Sequence, residues 1–350
     1  MVFISSSNIT RMKKFACLLV IFSLAACKKD PRVPEQPSQI DGLELTFIDT
    51  RQLFFNPVIC FTSESEGYAA NYDGRIMKTT DGGYHWQNQN STTSLPLYDI
   101  FFLDSDEGFA VGGKSFCGGP GCVPEGAVML HTKNGGQTWE QVPLNTKNKI
   151  ELQSVHFADR LNGYAVGINS ILSSKNGGLT WKENIITDLG ATCLDVKFAS
   201  ANKGLVTCGF GKILKTTDGG TTWQISKPFS AGGWPRLDAV NEDLIFVIGT
   251  GLFKTTDFAD TWTPVSNFPI GVSQVVFKTK DFGYIFGTGE YSGGDFGTYK
   301  GAIYYTLDGG KTWTGSNKIH ETNVFTSTSF PNNETGYAMS NNILVKIKKL

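Results

Sequence analysis

Charge imbalance is missing from this 350-residue chain: 31 lysines and arginines stand against 32 aspartates and glutamates, a formal net charge of −1. That balance removes the basic footprint a nucleic-acid binder needs to neutralise phosphates, so no nucleic acid partner is expected. Histidine is scarce, with only His85, His131, His156 and His320, and they are scattered. No second cysteine pair accompanies Cys117 and Cys122 at ligand spacing, so neither a metal nor another cofactor is expected. Arginine is equally thin beyond residue 43, where Arg51, Arg75, Arg160 and Arg236 form no cluster. Long apolar runs are absent after residue 27, which excludes a later helix crossing about 30 Å of hydrocarbon.

The N-terminal apolar run is short and has a different character. Lys13 and Lys14 precede residues 15–23, and Leu24, Ala25, Ala26 and Cys27 follow. A basic start, a brief apolar stretch and small residues before a cysteine read as a lipoprotein signal peptide, residues 1–27, ending at a lipidated Cys27. Residues 28–42 are proline-rich, charged and aperiodic, and read as a flexible tether. Lys28, not aspartate, follows the cysteine. The expectation is a protein of the cell envelope, lipid-anchored at the outer membrane on its periplasmic or surface-exposed side.

What the chain has in abundance is repetition. Asp81 stands five residues before Trp86 and is followed by Gly82 and Gly83. The same offset joins Asn134 to Trp139, Asn176 to Trp181, Asp218 to Trp223, Asp257 to Trp262 and Asp308 to Trp313. A second repeat lies upstream of each: Gly67-Tyr-Ala, Gly108-Phe-Ala, Gly163-Tyr-Ala, Gly204-Leu-Val, Asp243-Leu-Ile, Gly283-Tyr-Ile and, once more, Gly336-Tyr-Ala. A side-chain oxygen that accepts N–H bonds inside a glycine-rich turn, with a tryptophan entering the next strand, makes a hairpin staple. Such a carboxylate already spends its lone pairs on backbone, so no catalytic role is expected for it. Seven units of about 40 residues predict an all-β fold: one seven-bladed β-propeller over residues 43–350, with four-stranded blades. The seventh unit stops after its third strand. Residues 43–49 alternate apolar and polar without a partner, so they are expected to supply the missing outer strand and close the ring.

These motifs are those of the Asp-box, or bacterial neuraminidase repeat. With the glycine-tyrosine-alanine strand they cover nearly the whole mature chain, which resembles the propellers related to the photosystem II assembly factor of cyanobacteria and chloroplasts. The resemblance implies a non-enzymatic helper that holds membrane-protein subunits through an arginine-rich surface. The chain departs from it in having no arginine cluster.

Loop lengths point to one face. From the strand-B glycine to the box tryptophan there are 19 residues in blades one and four, but 31 in blade two and 30 in blade six. Both insertions fall in B–C loops: residues 114–125, with Phe116 and Glu125, and residues 290–300, with Tyr291, Asp295 and Tyr299. Trp234, the one tryptophan outside the boxes, lies beside Arg236 in a D–A loop of the same face, which Arg75 also reaches. These eight residues are the candidate ligand-binding set, for a glycan or a protein. Cys117 with Cys122 and Cys193 with Cys208 are the expected disulfides, leaving Cys60 over. Two functions compete. One is an envelope binding module or assembly helper without catalysis. The other is a glycoside hydrolase or carbohydrate-active propeller enzyme acting on envelope or extracellular glycans, for which Glu125, Glu290 and Asp295 offer loop carboxylates.

Overall fold

The computed structural model describes residues 38–53, 57–114, 126–146, 150–185, 191–226, 235–265, 270–292, 298–319 and 322–350. Its strands form seven antiparallel sheets, six of them four-stranded meanders from an inner strand A to an outer strand D. The A strands are Val58–Phe61, Leu97–Phe102, Leu152–Phe157, Cys193–Phe198, Arg236–Asn241, Gly271–Phe277 and Ser327–Ser329.

One aromatic device repeats around the ring. In blades one, two, four and six the phenylalanine at the end of strand A is stacked by the strand-B aromatic of the preceding blade: Tyr337 on Phe61 at 3.6 Å, Tyr68 on Phe102 at 3.9 Å, Tyr164 on Phe198 at 3.8 Å and Phe246 on Phe277 at 3.8 Å. The box tryptophan of the same blade meets that phenylalanine edge-on, as Trp139 meets Phe102 at 6.0 Å and Trp86 meets Phe61 at 6.1 Å. The phenylalanine in turn explains the strand-B glycine. A Cβ at Gly67, Gly108 or Gly204 would lie 2.5–2.7 Å from the ring of Phe61, Phe102 or Phe198. Blade five lacks both partners, carrying Ala239 and Ile245 instead.

Ring closure occurs in blade seven. Leu43–Asp49 pairs antiparallel with Ile343–Lys349, from Leu43 opposite Lys349 to Asp49 opposite Ile343. Its buried Leu43, Leu45 and Phe47 join a core with Tyr284, Phe286 and Val345, while Ile48 joins Ile59 and Phe61 of blade one. The strand is not the outermost. Ser38–Ile40 pairs with it as a fifth strand, within the stretch expected to be tether. Blade six also differs from expectation. The described ends of its insertion continue strands B and C, Gly283–Ser292 and Thr298–Thr306, so that Tyr291 sits opposite Tyr299.

Candidate functional site

The two faces of the disc are chemically different, and the boxes occupy the bottom one. In five blades the box turn is tied to the A–B turn of the same blade, as the Gly82 N–H donates to the Ser65 carbonyl at 2.8 Å and the Gly135 N–H to the Asp106 carbonyl at 2.9 Å. Inside the turn a buried hydroxyl two residues before the Asp or Asn does most of the work. Thr79 donates to Asp81 Oδ1 at 2.9 Å and accepts the Gly83 N–H at 2.9 Å, and the His85 N–H reaches the same carboxylate at 2.9 Å. Thr132, Ser174, Thr216, Thr255 and Thr306 repeat the arrangement. In blade five, where glycines are missing, Phe258 and Ala259 take the left-handed backbone that glycine fills elsewhere, at φ 54° and 64°. Hydrogen bonds from Thr222 and Thr261 hold the carboxyls of Asp218 and Asp257 down to about 2. These aspartates are turn staples with their acceptors occupied.

The top face carries the B–C and D–A loops and, on them, exposed aromatics. Tyr72 meets Tyr98 edge-on at 5.3 Å, and Tyr291 meets Tyr299 edge-on at 5.1 Å across the blade-six hairpin. Phe210 is 84% exposed at the tip of the blade-four B–C turn, at φ 60° between Gly209 and Gly211. A left-handed backbone is unfavourable for so bulky a residue. The turn is nevertheless fixed at its root: a disulfide joins Cys193 to Cys208, and the Gly209 N–H donates to the Thr192 carbonyl at 2.9 Å. Sequence reasoning missed Phe210, although a phenylalanine flanked by two glycines directly after a paired cysteine was a readable signal. Arg75 is held by Asp73 through a charge-assisted pair. Glu290 faces Lys318 at 3.4 Å. Cys27, Phe116, Cys117, Cys122, Glu125, Trp234 and Asp295 lie outside the described residues.

On the axis, the A strands enclose a cavity of about 240 Å³ whose charged lining consists of Asp99, Asp195, Asp238, Lys197 and Arg236. The three aspartates stand at two levels: Asp99 and Asp195 lie three residues before the A-strand phenylalanine, where Ser154, Gln274 and Ser327 stand in blades three, six and seven, whereas Asp238, opposite Phe246, is level with Lys197. They stitch neighbouring blades together. The Val155 N–H and the Ser154 hydroxyl donate to Asp99, both at 2.9 Å; the Leu237 N–H donates to Asp195 at 2.9 Å; and the Phe277 N–H donates to Asp238. Two residues deeper than Asp99 and Asp195 stand Lys197 and Cys60. Burial works against the Lys197 ammonium, but Asp195, Asp99 and Asp238 outweigh it and raise its pKa. Burial pushes the Cys60 thiol up to about 12, so it stays protonated and unreactive. Among the described residues, no group of three or more His, Cys, Asp or Glu could hold a metal ion.

Burial also pushes Asp238 up to about 6, against the pull of the Phe277 N–H and of Lys197. An acid whose folded pKa exceeds its unfolded value near 3.9 folds best protonated. Its contribution is full below about pH 4 and is lost as pH rises through about 6. Asp238→Asn keeps an oxygen for Phe277 and removes the charge. Urea midpoints should therefore show the variant gaining on the parent by on the order of 2 kcal/mol at about pH 7.5, with little gain at about pH 4. A gain that does not change with pH would contradict this.

Residues 58–151 and 184–341 match the family described as photosynthesis system II assembly factor YCF48. The chain is 32% identical over 94 residues to the photosystem II assembly lipoprotein Ycf48 of Synechococcus sp. (strain CC9902), covering 26% of this chain and 25% of that protein. The matched segments cover a quarter or less of the curated relatives' lengths. Among solved structures, YCF48 bound to D1 peptide superposes with a TM-score of 0.66 at 17% identity, covering 88% of this chain and 97% of that one. A GH74 xyloglucanase from Xanthomonas campestris gives 0.63 at 12% identity, covering 89% and 53%. At such identities the likeness carries the fold alone. The family match spans most of the chain, and the protein belongs to the photosynthesis system II assembly factor YCF48 family.

Proposed function

We propose that this protein is a non-enzymatic binding module of the cell envelope, anchored through lipid on Cys27, that captures a protein segment on its top face as an assembly helper. The observation that carries the proposal is Phe210, an exposed aromatic on a left-handed turn braced by the Cys193–Cys208 disulfide. An anchor already ordered before binding loses little entropy on contact. The tyrosine pairs at positions 72 and 98 and at 291 and 299 extend the aromatic surface. Family membership and a relative named for its bound peptide favour a polypeptide partner. The outer-membrane placement and the signal peptide of residues 1–27 belong to the same proposal. A second reading, hydrolysis of glycans, takes support from the shared fold of the xyloglucanase. Against it, the box carboxylates are spent on their turns.

The test offers protein comprising residues 28–350 to solubilised envelope and, in parallel, to a glycan panel scored for both binding and hydrolysis. An envelope protein should be retained without sugar release. Phe210→Ala combined with Tyr291→Ala should weaken retention by about 30-fold, or about 2 kcal/mol, with unchanged melting. Glycan turnover, or undiminished retention by the double variant, would overturn the proposal.

A further inference from the structure

The axial cavity holds a group that the fold does not use. Lys197 lines it, and among the described residues no hydrogen bond or ion pair engages its ammonium. An ammonium carries three donors, and leaving them without acceptors inside a protein is costly. Two of the neighbouring carboxylates are more nearly satisfied. Asp99 accepts from Ile100 and Val155 and Asp195 from Leu237, and the single Ser154 hydroxyl hydrogen is within reach of either carboxylate. Asp238 spends only Oδ2, on Phe277, and no partner engages Oδ1 among the described residues. The enclosed space thus presents an idle donor set on Lys197 and an idle acceptor on Asp238, with Arg236 also lining it.

The signs decide the class of ligand. A simple anion drawn to Lys197 would meet three carboxylates, and a simple cation drawn to those carboxylates would meet Lys197. A molecule carrying an ammonium and a carboxylate a few bonds apart can satisfy both. The cavity, at about 240 Å³, has room for a small one. We propose that the central channel is a binding site for a small zwitterion of the free amino acid class, its carboxylate on Lys197 and its ammonium on Asp238. The site lies on the axis, separate from the exposed aromatics of the top face, and stands independently of the partner proposed above.

Calorimetry on protein comprising residues 28–350 tests it with glycine, L-alanine, L-glutamate and L-lysine, and with acetate and methylammonium as single-charge probes. At least one amino acid should bind saturably and at least tenfold more tightly than either single-charge probe. Lys197→Met should lower that affinity at least tenfold, and so should Asp238→Asn, which keeps the side chain's shape should the lysine variant fold poorly. Phe210→Ala should leave it unchanged, so this site and the top-face site fail separately. Absence of saturable heat from all four amino acids, or binding no tighter than acetate or methylammonium, would mean that the channel holds water only and would overturn the proposal.

Discussion

Deleting residues 38–49 is expected to abolish the cooperative unfolding transition of the whole disc, not merely to lower its midpoint. The segment contributes Leu43, Leu45, Phe47 and Ile48 to the cores of blades six, seven and one. Burying each such side chain is worth about 1.5–3 kcal/mol, so the four together are comparable with the roughly 5–15 kcal/mol that holds an average domain folded. Their loss also exposes Ile343–Lys349 as the unpaired edge of a three-stranded blade, inviting aggregation. Calorimetry on the truncated protein should show no sharp endotherm. A cooperative melt close to that of the parent would mean that the ring does not depend on this closure. Deleting only residues 28–37, which precede the sheet, should leave the melt intact.

Replacing Trp139 by alanine is the second large effect. Its side chain is 2% exposed, lies edge-on to Phe102 and packs in the cluster shared by blades one and two. Core truncations of this size cost about 3–5 kcal/mol, the transfer term plus the cavity left behind. Phe210→Ala is the control: it removes an aromatic of comparable bulk from the surface, where little packing is lost and a strained turn gains a smaller side chain. Urea unfolding should separate the two variants by at least about 3 kcal/mol. Equal stability would mean that the box tryptophans are not core residues.

The repeat was legible because both of its markers are forced by contacts. The box tryptophan and the strand-B glycine each answer to the same phenylalanine, so the pattern survives in one sequence without any alignment. The closing strand was legible for a similar reason, since its alternation had no partner nearby. Ser38–Ile40 was not, because three residues are too few to show a period and the prolines before them suggested a tether. Thr79 and its equivalents were hidden by their ordinariness: a threonine in a strand is unremarked until its hydroxyl is seen to fasten the turn. The channel was hidden by distance. Asp99, Asp195 and Asp238 are 43 to 139 residues apart and converge only when the ring closes, a step that length and composition cannot convey. The top face was found from insertions and one odd tryptophan. The residue that best marks it within the described structure, Phe210, sits in the shortest kind of turn, where length gave no clue.

Capture of a polypeptide on the top face is the proposed activity. Hydrogen exchange on residues 28–350, with and without the retained envelope protein, addresses it most directly. Binding should slow exchange at residues 71–75, 208–212, 288–292 and 298–301 while leaving the box turns at residues 81–86 and 218–223 unchanged. Protection confined to the box turns would place the partner on the bottom face and contradict the account.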